Sequence, residues 1–459
     1  MRPCAFASWG CAIAFAAFGA CDIGYVADDA LYCEAKPDDP LCAAGAGRAG
    51  TAGGAGSAGS AGSAASAGAA GGAGLGGAGG TAPAGSAGGG RGGAGGGVCP
   101  GDQACAIEAG TGSLCVEGAC TPSSAACAKA TLVVVDQGFQ GAIEGALAGA
   151  CFYRTLAAAL GAIVAGTTTR LVAYGEAAVL AAPLTVPAGL SLEGRTVVAG
   201  RPVALTIAAP VAGAPLVILS AGSALKGFAL DGNASAAGIK AEAGAVRIEG
   251  PIAVTKTKRA IELGGSVDAT IAGEQGAPVR VSGNELGVVV GPTAKLALRG
   301  DGEGGGVTVE ATSLGAGVLV QAGGASAAVK LEGLLAKDNR TGSVADGIGG
   351  VEVRQGRSVT IEGGVFQGNR QALTLNGGLS SGPTSFVNVV LRQNRFVLVA
   401  PGQGSAICGS KLGSETELHL GEGNVFPSAV ACPPAQIDGC NTGADVGHDT
   451  ANQFALLCQ

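Results

Sequence analysis

The chain has 459 residues, but 86 are glycine and only 13% are charged, so its folded part is shorter than the length implies. The 27 Lys and Arg against 34 Asp and Glu give a net charge of −7, which argues against nucleic acid or any polyanion held by bulk electrostatics. Aromatic residues are 3% and the one tryptophan, Trp9, lies near the N-terminus, so few rings are left to stack on bases or sugars.

The first element is residues 1–20. Arg2 is followed by a run without charges from Pro3 to Ala20, and then by the acidic Asp22, Asp28 and Asp29. That is the pattern of a cleaved export signal, although the run of 18 residues is also close to the lower limit for a spanning helix. Phe18-Gly19-Ala20-Cys21 resembles a bacterial lipobox with Phe18 in place of the usual aliphatic residue. The resemblance implies lipidation at Cys21 and a membrane partner reached through that anchor. Asp22 resembles an inner-membrane retention signal, which sets a periplasmic face against the outer membrane or cell surface.

Twelve of the 15 cysteines remain once Cys4, Cys11 and Cys21 are set aside, and an even number in an exported chain reads as disulfides. They fall into even groups: Cys33 and Cys42 in the anchor region 21–42; Cys99, Cys105, Cys115, Cys120, Cys127 and Cys151; and Cys408, Cys432, Cys440 and Cys458. Each group is able to close on itself, with the connectivity open. Zinc is the competing reading, but there is no CxxC pair and the only histidines are His419 and His448. No metal and no cofactor is expected.

Residues 43–98 are almost wholly Gly, Ala, Ser and Thr, with Arg48 and Arg91 the only charges. Such a segment buries too little apolar surface to offset ordering entropy and is expected to be a disordered linker. As a Gly-rich coil it spans on the order of 40 Å. The neck, 99–130, is dense in cysteine and turn residues and reads as a disulfide-held spacer.

Beyond Thr131 the texture changes to short aliphatic runs. A pattern of one small or apolar residue followed by aliphatic-x-aliphatic begins at Gly238, Ala260, Gly287, Gly317, Gly350, Ala372 and Phe396, in steps of 22, 27, 30, 33, 22 and 24 residues. A second strand type interleaves, as in Val246-Arg247-Ile248-Glu249-Gly250 and Val359-Thr360-Ile361-Glu362-Gly363, with aliphatic residues expected inside and charges outside. A third ends at an asparagine: Asn284, Asn339, Asn369 or Asn394. These amides either stack in a ladder or serve only to tolerate left-handed backbone at turns. Repetition with three short strands and no helical period predicts an all-β fold, a right-handed parallel β-helix over 131–407. A short N-terminal helix over Thr155 to Val164, with Leu156, Leu160, Ile163 and Val164 on one face, is expected to cap it. The cysteine-rich tail 408–459 is expected to close the other end.

Phe152-Tyr153-Arg154-Thr155-Leu156-Ala157-Ala158-Ala159-Leu160, followed by Leu171-Val172-Ala173-Tyr174-Gly175, resembles the entry segment of the pectin-lyase-like superfamily, in its bacterial members of undefined function. The resemblance runs from Thr131 to Cys458 and implies the fold; the fold itself hosts lyases, hydrolases, adhesins and inert passengers. The linker set between lipobox and neck resembles surface lipoproteins of myxobacteria.

No catalytic frame of those enzymes is visible. Glu332 and Glu362 are the best paired acids, because equivalent positions on stacked strands lie about 4.8 Å apart, near the spacing in retaining glycosidases. With Lys330 and Arg299 beside them they read instead as a solvated face. Asp231, Asp301 and Glu303 lie in turns of a kind that holds calcium or merely caps backbone. Lys256, Lys258 and Arg259 form a basic cluster, and Gly447-His448-Asp449 is similar to a histidine motif of the hydrolases but lies past the last repeat. The expectation is a non-catalytic envelope lipoprotein whose partner is a polysaccharide or a matrix component, with a polysaccharide-active lyase or glycoside hydrolase as the alternative.

Overall fold

A computed structural model describes residues 150–376, apart from 165, 181, 199, 208–212, 303–304 and 340–348, together with shorter stretches between 105 and 139 and between 387 and 458. The leader, Cys21, Cys33, Cys42, the linker 43–98, Cys99, Cys432 and Cys440 lie outside the described residues.

The described chain is nearly all-β, and its strands pair in three parallel ladders. Successive strands visit the ladders in turn: Leu286–Val290 lies in the first, Lys295–Arg299 in the second, Val307–Glu310 in the third, and Val318–Ala322 returns to the first. Each strand pairs with its equivalent one repeat away. In the first ladder Leu184, Val217, Ile239, Ile261, Val288, Val318, Val351, Leu373, Ile407 and Val446 stand in one unbroken register. The second ladder aligns Leu171, Leu192, Leu225, Ile248, Ile271, Leu298, Leu331, Ile361, Leu391 and Leu420. All of these side chains are buried in one continuous core. The physical cause is the period of two: in Lys295–Arg299 only Leu296 and Leu298 are buried, and the residues between them point outward. Each inward aliphatic contributes roughly 1.5–3 kcal/mol of hydrophobic burial.

The small residue that opens the repeat marks a close approach of backbones. A Cβ on Gly287 would lie 2.0 Å from the carbonyl oxygen of Gly317 and 2.6 Å from Cγ1 of Val309. Six of the seven expected occurrences fall in the first ladder. The seventh, at Phe396, does not: Arg395–Val397 pairs with Val365–Gln367 in the third ladder, and the next first-ladder strand is Ile407–Ser410, preceded by Ala406. Phe396 stacks instead between Phe366 and Phe426, at centroid distances of 5.2 and 4.9 Å, as an aromatic column inside the third ladder.

Asparagines build two ladders of their own. At the corner after the third ladder, Asn284 Oδ1 accepts hydrogen bonds from the backbone N–H and the hydroxyl of Thr257 at 2.9 and 2.8 Å. One repeat further the position is Thr312, and two repeats further Asn339 Oδ1 accepts from the Thr312 N–H at 3.4 Å, while Asn369 Oδ1 accepts from the Asn339 N–H and Nδ2 at 2.9 and 3.1 Å. Asn394 belongs to a different corner, after the second ladder, where it binds the Gly364 N–H and donates to Asn424 Oδ1 at 3.1 Å. The left-handed backbone falls one residue earlier, at Lys256, Gly283, Ala311, Asp338 and Gly368 at the first corner and at Gln393 at the second. Stacking of amides, rather than tolerance of positive φ, is therefore what the asparagines supply.

Helix α1 spans Leu156–Gly161, shorter than expected, with Thr155 as N-cap accepting from the Ala158 N–H at 3.2 Å. Leu156 and Ala159 are buried, Leu160 and Ile163 pack against the core, and Val164 is exposed because the helix has already ended. The neck is not a detached spacer. Ser113–Val116 and Ala119–Pro122 form an antiparallel hairpin that pairs with Cys151–Tyr153, and Cys151–Tyr153 pairs in parallel with Leu132–Val135 of the second ladder. Disulfides join Cys105 to Cys120 and Cys127 to Cys151. At the other end the ladders continue inside the segment 408–459, through Glu417–Leu420, Val446–His448 and Ala455–Cys458. Cys408 and Cys458 are each disulfide-bonded.

Candidate functional site

Outward residues are the chemistry-bearing ones in such a fold, and they too stand in columns. On the second ladder Glu193, Lys226, Glu249, Ala272, Arg299, Glu332, Glu362 and Arg392 follow one another in register. Glu332 and Glu362 are therefore direct neighbours, as their spacing implies. Each is flanked on its far side by a cation of the same column, Arg299 or Arg392. Glu332 forms an ion pair with Lys330 and another with Arg299 at 3.8 Å, and its side chain is a third exposed. The pair lies on a stretch of charged surface in which Glu332 is matched by two cations and Glu362 stands in register with Arg392.

At the start of the same column Glu193 is more enclosed. It binds Arg170 at 2.9 Å and Arg195 at 2.7 Å. Burial pushes its carboxyl up, but the two guanidiniums together outweigh burial and hold it below the ordinary carboxylate range.

The turn acids have local duties. Asp231 accepts the Asn233 N–H at 3.1 Å and pairs with Lys256 at 2.9 Å; Asp301 accepts the Gly306 N–H at 2.9 Å. Glu303 lies outside the described residues. Among the described residues no three His, Cys, Asp or Glu converge as metal ligands. The basic cluster is dispersed: Lys256 goes to Asp231 and Arg259 to Glu262, at 2.9 and 3.0 Å. His419 contacts Glu417 at 3.1 Å. His448 is in a strand of the first ladder, in register with Gly409, and so within the repeats rather than past them.

Two features of the first ladder's outer face are not apparent in the sequence. Around Ile218 and Lys240, which are register partners, a groove of about 370 Å³ is lined also by Pro215, Ser220, Ala221 and Glu242. Lys240 meets Glu242 at 2.7 Å, and this bond raises the lysine above its ordinary value. Four repeats on, Glu352 occupies an outward position yet is only 1% exposed. Its carboxylate accepts from Arg354 Nε at 2.7 Å and from Asn376 Nδ2 at 3.1 Å, while Thr374 donates to Gln371 Oε1 at 2.9 Å beside it. The signal in the sequence was the arginine two residues after the glutamate, which places both on one strand face.

No protein-family model, curated protein or solved structure matches the chain.

Proposed function

We propose that the chain is an exported lipoprotein whose parallel strands wind as a right-handed β-helix of the pectin-lyase-like kind, serving as a non-catalytic rod on the cell envelope. The observation that carries this reading is the unbroken register of the three ladders, which makes a quasi-one-dimensional body with each repeat braced by its neighbours. The outward charges support it as well, because they pair along columns instead of converging on one reacting centre. Cys21 supplies the lipid anchor and residues 43–98 the tether, so the rod stands clear of an outer membrane or cell surface and contacts polysaccharide or another envelope or matrix component. A second reading, a polysaccharide-active lyase or glycoside hydrolase, rests on the register adjacency of Glu332 and Glu362.

Two experiments test the proposal. Fractionation of cells producing the full chain or its Cys21→Ser variant is expected to find the first in membranes and the second released. The purified chain, incubated with a panel of acidic and neutral polysaccharides, is expected to be retained by some member without generating reducing ends or unsaturated products. Turnover lost in Glu332→Gln or Glu362→Gln would establish the enzyme reading instead.

A further inference from the structure

Asn233 stands at a corner where the chain leaves the third ladder for the first, and this corner is longer than the two stacked next to it. Asp231, Thr255 and Ser282 are in register on the third ladder, and Ala237, Arg259 and Leu286 on the first. The passage takes six steps from Asp231 to Ala237, but four from Thr255 to Arg259 and four from Ser282 to Leu286.

The register shows which two residues are additional. Ser235 keeps the buried corner position: it lies two residues before Ala237, as Thr257 and Asn284 lie two before Arg259 and Leu286, and none of the three is more than 3% exposed. The Ser235 carbonyl accepts the Lys258 N–H at 3.0 Å, just as the Thr257 carbonyl accepts the Glu285 N–H at 3.0 Å one repeat on. Asn233 and Ala234 are therefore extruded. Both are exposed and left-handed, with φ of 42° and 67°. Asparagine tolerates that backbone, whereas alanine adopts it at a steric cost. Two hydrogen bonds hold the turn in shape, from the Asn233 N–H to Asp231 Oδ1 at 3.1 Å and from the Ala234 N–H to the Lys256 carbonyl at 2.7 Å.

Asn233-Ala234-Ser235 has the Asn-x-Ser form of an acceptor for N-linked glycan, a group too bulky for anything but a surface turn. The chain has one other such triplet, Asn339-Arg340-Thr341. Asn339 is 0% exposed, and its Nδ2 donates to the Val309 carbonyl at 2.9 Å and to Asn369 Oδ1 at 3.1 Å. A sugar on that nitrogen would disrupt the amide ladder, whereas one on Asn233 projects from a turn that the ladder does not use.

We propose that Asn233 is a glycosylation site, bearing an oligosaccharide N-linked to its side-chain amide. In the transfer, the amide nitrogen attacks the anomeric carbon of an oligosaccharide carried on a lipid pyrophosphate. A C–N bond forms as the C–O bond to the pyrophosphate breaks; the amide proton passes to a base of the transferase, and the lipid pyrophosphate leaves. Ser235 is sealed in the finished corner, so the transfer precedes closure of that corner. This inference rests on the export proposed above, because the acceptor pattern is used on secreted chains.

The test uses the full chain, isolated from the cells that naturally produce it. Trypsin cuts after Lys226 and Lys240 and releases Gly227–Lys240 with Asn233 inside. Mass spectrometry is expected to find this peptide heavier by a glycan localised to Asn233, and the peptide spanning Asn339 at its bare mass. Asn233→Gln and Ser235→Ala are each expected to lose the added mass entirely, and Ser235→Thr to keep it. Should Ser235→Ala fail to fold, its side chain being buried, Asn233→Gln decides against Ser235→Thr. An exported chain, its leader removed, with Gly227–Lys240 at bare mass overturns this proposal alone. Added mass that survives Asn233→Gln, or a glycan on Asn339 instead, likewise overturns it. A chain retained in the cytosol with its leader intact and the peptide bare overturns both this proposal and the reading of export.

Discussion

Asn369→Ala is the sharpest test of how the corners are held. The side chain is 2% exposed and has three partners: its Oδ1 accepts from the Asn339 N–H at 2.9 Å and from Asn339 Nδ2 at 3.1 Å, and its Nδ2 donates to the Ala336 carbonyl at 2.7 Å. Removing it strands two donors and one acceptor in the interior, each costing about 1–3 kcal/mol if left unpaired. With partial relaxation of the corner, the expected loss is about 3–5 kcal/mol. Asn369→Asp restores the acceptor but turns the donor to Ala336 into a second oxygen and buries a charge, so it is expected to be no better. Thr360→Ala, at an outward position of the second ladder, serves as control with a change within about 0.5 kcal/mol. Repeat arrays need not unfold in one step, so the assay is residue-resolved hydrogen exchange at the Asn339 amide alongside a urea melt. If both match the control, stacking of amides is not what fixes the corner.

Phe396→Ala, at the centre of the Phe366–Phe396–Phe426 column, is expected to cost about 3–5 kcal/mol by urea unfolding, and Phe396→Leu markedly less. Glu332→Gln, by contrast, is expected to shift stability by less than about 1 kcal/mol, since its ion pairs are solvated; a thermal melt checks this. Glu193 carries a pH signature. Its folded-state value is depressed, so its stabilisation is fully present above the ordinary glutamate range and is lost as pH falls through the depressed value. Glu193→Gln is therefore expected to be less stable than wild type at pH 7 and to converge with it in acid, as followed by urea midpoints at a series of pH values.

Much of the ladder pattern was legible because it obeys a local rule. Val-x-Val and Leu-x-Leu runs alternate with charges, and small residues precede the runs where backbones come within reach, as at Gly287. The rule misleads where two ladders use similar residues. Phe396-Val397 satisfies the first-ladder pattern yet lies in the third, because register is set by what each strand meets one repeat away. Asn394 looks like Asn369 in sequence, with an adjoining left-handed residue in both cases, but the two occupy different corners. Candidate site residues fared similarly: the adjacency of Glu332 and Glu362 follows from strand spacing, whereas the burial of Glu352 does not.

The sequence by itself determined the class of structure, all-β with parallel repeats, and which residues turn inward, since a period of two in apolarity is decided residue by residue. Only the tertiary structure decided where each repeat is registered, that the cysteine-rich neck is docked onto a strand edge, and that a carboxylate at an outward position is sealed from water. Those outcomes depend on contacts between residues some 22 to 33 positions apart or more, and no local pattern encodes which of several similar partners a strand will meet.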